Sequence, residues 1–256
     1  MEKIYTSELC NFDTYSRRIE SIASAVENID LPQKELLVFV DVGCSDCRLT
    51  RVVMDSLSKT YKLRAYGFDP DISVISDTNG IKLEQLDLES WLKKYKAMEN
   101  SVDLVLNSHT FYHFPVPEWK NIIHDINALL SDEGKHVIVI DSEKTAFNQL
   151  NKAFRDLEKT EAYGEYLVGS AVEEFLKSQE IDYKHSLITE SISLPRNHNS
   201  LKELARVLAF VFRCSSDDIL KSRKKEISDF IAKYTAGNSY IFPVFQDMFV
   251  LSKKHI

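Results

Sequence analysis

The chain has 256 residues, 44% of them hydrophobic, and a formal net charge of −7 from 32 basic and 39 acidic side chains. A chain this long buries roughly 70–75% of the surface its unfolded state exposes, so its core needs no disulfides. The acidic balance argues against nucleic acid as the main partner, which would call for clustered Lys and Arg, and favours a small-molecule substrate.

The runs Lys93-Lys94, Arg223-Lys224-Lys225 and Lys253-Lys254 read as solvated helix faces. No stretch approaches the ~18 apolar residues of a membrane span; Leu201 to Phe212 comes nearest and is broken by Lys202, Glu203 and Arg206. The opening Met1-Glu2-Lys3-Ile4-Tyr5 lacks the apolar run of a signal peptide. The expectation is a cytoplasmic protein with reduced thiols and no membrane association.

In chain order, an amphipathic helix is expected over Tyr15 to Val26, within an N-terminal segment of residues 1–35. Leu36 to Val40 is a continuous apolar run, the pattern of a strand buried on both faces. Asp46 to Ser58 turns to helical spacing, with Leu49, Val52, Val53 and Leu57 on one face. Leu63 to Phe68 reads as a second strand, Ile72 to Ser76 as a short helix, Ile81 to Leu86 as a third strand and Leu88 to Met98 as a helix. Val102 to Leu106 is a fourth strand. Pro117 to Leu130 is a helix that Gly134 closes off, and His136 to Ile140 is the fifth strand.

Alternation of this kind implies an α/β fold: a doubly wound, mostly parallel, seven-stranded sheet with helices on both faces. Later helices are expected at Ala146–Lys159, Ser170–Ser178, Ser200–Phe212 and Asp217–Tyr234, with strands at Tyr183–Leu194 and Val244–Ser252. The whole is read as one domain, with a cofactor half over 36–141 and a substrate-side half over 142–256. An insert of two helices, about 195–243, is expected to cap the pocket.

In open α/β sheets ligands sit outside the carboxyl ends of the strands, where the first turn feeds a helix N-terminus. Here that turn is Asp41-Val42-Gly43-Cys44-Ser45-Asp46-Cys47. It lacks the G-x-G-x-x-G spacing of dinucleotide enzymes. An acid at Asp46 would repel a pyrophosphate and suits a cofactor with a positive sulfonium and an amine.

These residues resemble the class I methyltransferases that use S-adenosylmethionine (SAM). The first motif of that family is matched by Asp41 and Gly43, with Ser45 and Cys47 where glycines are usual. The second is an acid ending strand two, met by Asp69, which the resemblance assigns to the ribose hydroxyls. The third is met by Asp87, assigned to the adenine amino group. The fourth is Val102 to His109, whose Asn107 would back the methionine part of SAM. The resemblance runs from Leu36 to Asp141. A faint similarity to the histamine N-methyltransferase group lies in the tyrosine-bearing loop after strand four and in the late helical insert. It implies transfer to a nitrogen or oxygen of a small molecule.

Alternatives stay open at several positions. Asp69 could be a turn residue and Asp87 a helix cap. Cys44 and Cys47 form a C-x-x-C that could instead be a redox pair on a non-catalytic relative. A metal site is not expected, since Cys10 and Cys214 stand at no metal-ligand spacing. His109, Tyr112 and His113 are the catalytic candidates, to orient a nucleophile or take its proton, or else lid and core packing. Asp141-Ser142-Glu143 could bind a substrate amine or cap a helix. Tyr163, Tyr166, Tyr240, Phe242 and Phe245 could wall a pocket or fill the core.

Overall fold

The computed structural model describes residues 16–71, 80–153, 167–196, 200–212, 216–222 and 224–253. The expected helix Ile72–Ser76 lies outside these residues, as do Cys10, Tyr15, residues 154–159 of the helix expected from Ala146, Tyr163, Tyr166 and Cys214.

The elements, in order, are α1 (Arg18–Glu27), β1 (Leu36–Val42), α2 (Arg48–Leu57), β2 (Lys62–Phe68), β3 (Ile81–Glu84), α3 (Leu88–Lys94), β4 (Val102–Ser108), α4 (Trp119–Leu129), β5 (Leu130–Asp141), α5 (Ala146–Ala153), α6 (Gly169–Ser178), β6 (Tyr183–Pro195), α7 (Ser200–Phe212), α8 (Ser216–Ser222), α9 (Lys224–Ala232), β7 (Thr235–Ala236) and β8 (Ser239–Ser252). The sheet runs β3-β2-β1-β4-β5-β8-β6, with β7 added to β8. Pairs among β1 to β5 are parallel and β8 is antiparallel to β5. The expected doubly wound α/β class is what the chain adopts.

Contact density divides the chain into two compact units, counting the described residues within these bounds. Ile19–Asp141, Leu167–Ile188 and Gln246–Ile256 form the larger unit; Met1–Arg18, Ser142–Tyr166 and Thr189–Phe245 form the smaller.

In the larger unit the side chains of β1 alternate between two cores. Val38, Val40 and Val42 join Trp91 of α3, Trp119 and Ile123 of α4 and Val172 and Leu176 of α6. Leu37 and Phe39 join Ile22 and Val26 of α1 and Val53 and Leu57 of α2. Both faces of the strand are covered, which is why it reads as an unbroken apolar run. The smaller unit has its own core, in which Leu150 of α5, Leu204 and Leu208 of α7, Ile219 of α8 and Ile227 and Ile231 of α9 meet Phe242 and Val244.

Two expectations are corrected, at Gly134 and at the start of the last strand. Gly134 does not end a helix: β5 already begins at Leu130, and its pairing with β4 shifts register between Val102 and Leu104. A Cβ on Gly134 would stand 2.7 Å from the Val102 carbonyl oxygen, so the glycine lets two backbones approach within a strand. The segment expected as a helix over Asp217–Tyr234 is helical over Ser216–Ser222 and Lys224–Ala232 and is followed by the β7 hairpin. The last strand starts at Ser239, not Val244, because the chain reverses at Gly237 and Ser239 and Tyr240 pair back onto β7. Among the described residues no helix is long and apolar enough to cross a membrane, and no cluster of His, Cys, Asp and Glu could hold a metal ion.

Candidate active site

Register places the chemistry-bearing residues on one sheet edge. Val42 pairs with Phe68 on one side and Asn107 on the other, so β1, β2 and β4 end level with each other. The chain order reverses between β1 and β4, and that is where ligands bind in such sheets. Gly43, Asp69 and the loop after Ser108 therefore emerge together.

The turn is held by backbone first. The Gly43 and Cys44 N–H groups both donate to the Phe68 carbonyl, at 2.8 and 3.2 Å. Gly43 has φ +72, and a Cβ there would come within 2.2 Å of the Thr110 Cγ2 methyl. Ser45 and Cys47 have φ of 48 and 61. Both stand in the left-handed region that glycine adopts at no steric cost.

Helix α2 starts at Arg48, with Cys47 in the N-cap position and no side-chain cap. Asp46 precedes the helix, and both its oxygens take up Arg48: Oδ1 accepts from the Arg48 N–H and Oδ2 from Nε, at 3.1 and 2.6 Å.

Asp69 closes the site from β2. Its Oδ2 accepts from the Ser45 N–H at 3.0 Å and its Oδ1 from the Asp71 N–H at 2.8 Å. Each oxygen keeps a second lone pair, enough for two further donors. Burial pushes its carboxyl above the ordinary value, against the pull of those two bonds. Asp41, 2% exposed, accepts from the Thr50 hydroxyl at 2.5 Å. Burial raises its pKa to about 7, with the charge of Asp69 adding to the rise.

Asp87 is the N-cap of α3, its Oδ1 accepting from the Ser90 N–H at 2.8 Å. That bond lowers its pKa. It stands exposed, three residues past the β3–Asp69 backbone contact at Glu84.

Cys44 and Cys47 are both buried and neither is in a disulfide. A Cβ on Gly67 would lie 3.0 Å from Cys44 Sγ, so that glycine makes room for the thiol. The hydrogen bond with Cys47, then burial, then the Asp41 carboxylate hold the Cys44 thiol above its usual pKa; the same bond draws Cys47 the other way. Cys47 is 0% exposed. Reactive cysteines need thiolate and access together, and this arrangement withholds access. Both thiols serve as core packing beside Val53 and Leu57.

In the loop after β4, Asn107 is buried, its Nδ2 donating to Thr110 Oγ1 at 3.3 Å. His109 has φ +54, donates its N–H to the Val139 carbonyl at 2.8 Å, and brings Nε2 to 3.3 Å from Gln246 Oε1. Phe111 is core: it is 0% exposed, packs on Trp119 at 4.9 Å between centroids, and anchors the loop. Tyr112 and His113 lean on each other at 4.5 Å, with Tyr112 partly buried and His113 exposed. Asp41, Gly43, Ser45, Asp69 and Asn107 are thus one cluster, with His109 beside it.

Two participants were invisible in the sequence. Gln246 meets His109 from β8, 137 positions away. His136, wholly buried on β5, brings Nε2 to 2.8 Å from Asn107 Oδ1. Only a strand register could have found either.

No protein-family model matches the chain, and no curated protein matches it in sequence. Solved structures do match in shape. A provisionally assigned type II methyltransferase from Anaeromyxobacter dehalogenans superposes with a TM-score of 0.57 at 10% identity, over 91% of this chain and 95% of that one. A SAM-dependent methyltransferase from Archaeoglobus fulgidus gives 0.52 at 11%, over 91% and 94%. A provisionally assigned methyltransferase from Bacillus halodurans gives 0.52 at 13%, over 90% and 98%. The chain has the fold of these methyltransferases. At such identities the likeness is one of architecture, and chemistry has to be argued from the site.

Proposed function

We propose that the protein is a SAM-dependent methyltransferase acting on a nitrogen or oxygen of a small molecule. The observation that carries this reading is the Asp69 carboxylate, fixed by the Ser45 and Asp71 N–H groups on the edge that also holds Gly43 and Asn107. The donor set fits SAM: Asp69 has lone pairs for two ribose hydroxyls, and its carboxylate gives the turn an acidic group. A sulfonium and an α-amine are attracted there, whereas a pyrophosphate is repelled. Bound SAM supplies a methyl on a sulfonium that leaves as a neutral thioether.

Asp69 would hold the ribose, Asn107 would back the methionine part, and Gly43 and Ser45 would let the ligand approach the main chain. Asp87 is assigned to the adenine end with the oxygen that does not cap α3. His109, oriented through Gln246, is the group best placed to accept a proton; Tyr112 and His113 flank the acceptor. In-line displacement asks the protein mainly to align the reacting atoms and exclude water, so no strong base is required. The substrate-side residues are assigned to 142–256, and the protein is proposed to work without a metal and away from membranes and nucleic acid.

Calorimetric titration with SAM and with its demethylated product tests this. Binding below millimolar Kd, weakened at least tenfold by Asp69→Ala, is expected. Absence of binding of both ligands would falsify the reading.

A further inference from the structure

A buried histidine lies behind the cofactor turn with no part in the reaction just described. His136 is 0% exposed and stands on β5, one strand beyond β4. Burial lowers its pKa to about 3, so it is neutral and has one N–H. Nε2 lies 2.8 Å from Asn107 Oδ1, while Nδ1 has no hydrogen-bond partner. The proton belongs on Nε2, because a buried N–H without an acceptor costs more than a bare ring nitrogen.

The consequence runs outward in three contacts. With Oδ1 taken by the Nε2–H, the Asn107 amide is fixed with Nδ2 toward Thr110 Oγ1 at 3.3 Å. That bond fixes the rotamer of Thr110, whose Cγ2 lies 2.2 Å from where a Cβ of Gly43 would be. Gly43 in turn begins the turn whose Ser45 N–H meets Asp69.

We propose that His136 is a positioning residue for the cofactor turn, setting the place of the Gly43 backbone through Asn107 and Thr110. This rests on reading that turn as the SAM site. Two readouts separate the two claims. Hydrogen–deuterium exchange on the protein without ligand reads the turn itself, and calorimetry reads SAM.

The variants are His136→Leu, which removes the donor; His136→Gln, whose Nε2–H extends to the same place; and Thr110→Val, which breaks the chain one link on. Exchange in residues 41–47 is expected to quicken about tenfold in His136→Leu and Thr110→Val and to return to within about threefold of the original in His136→Gln. Exchange in α4 should stay unchanged in Thr110→Val. SAM affinity should fall about tenfold in the first two variants. If His136→Leu fails to fold, Thr110→Val carries the same test. Unchanged exchange over 41–47 in Thr110→Val, or a uniform rise across the whole protein, overturns the positioning role. Local quickening in a protein that binds no SAM upholds that role and overturns only the cofactor reading.

Discussion

Replacing Gly43 by alanine probes the tightest contact in the site. The new Cβ would meet Thr110 Cγ2 at 2.2 Å and Thr110 Cβ at 3.2 Å, at a residue with φ +72. The positive φ costs an L-residue about 1–2 kcal/mol. The methyl clash adds about 1–3 kcal/mol, the range for forcing extra carbon into packed space. Gly43→Ala should therefore lose about 2–5 kcal/mol.

Thr110→Ser removes Cγ2, keeps the hydroxyl that Asn107 uses, and leaves Cβ at 3.2 Å, tight but tolerable. On that background only the backbone cost remains, so the double variant should recover about 1–3 kcal/mol relative to additivity. Urea unfolding of the four proteins measures this, provided the slopes agree and only the midpoints move. Two losses that add within about 0.5 kcal/mol would show that the methyl does not define the turn.

Three further outcomes are expected. The Asp41 carboxyl has a folded pKa of about 7 against 3.8 for an ordinary aspartate, so between those values only the folded state holds the proton. Stability should then fall by a few kcal/mol as pH rises from about 4 to 7 and level off above, and Asp41→Asn should lose most of that slope in urea titrations at several pH values. Asp87→Ala should lower stability by about 1 kcal/mol through loss of the α3 cap, seen as a shift in thermal midpoint. Ser45→Gly should keep SAM affinity, since glycine takes φ 48 freely, whereas Ser45→Val should cost at least 1 kcal/mol of stability.

Much of this fold was legible because period and burial agree. A strand covered on both faces shows as the run Leu36–Val40, and Asp69 followed its strand at the expected place. Legibility ended where a residue's role depends on a partner far along the chain. Ser131-Asp132-Glu133-Gly134 has the composition of a turn, yet it lies inside β5, between the Leu130 and Lys135 pairings with β4. The last strand is expected only from Val244, but the hairpin at Gly237 already starts β8 at Ser239. Ser45 and Cys47 stand in the left-handed region, a backbone feature that their residue types do not announce. His136 and Gln246 carry no local signal at all, being polar residues in strands whose partners are set by register.

The central claim is that the edge formed by Gly43, Asp69 and Asn107 binds SAM. Isothermal titration of the intact protein with SAM, in parallel with Asp69→Ala, tests it most directly. One site per chain is expected, with Kd below millimolar and at least a tenfold loss in the variant, about 1.4 kcal/mol. No heat of binding up to millimolar SAM, or equal affinity in both proteins, would contradict it.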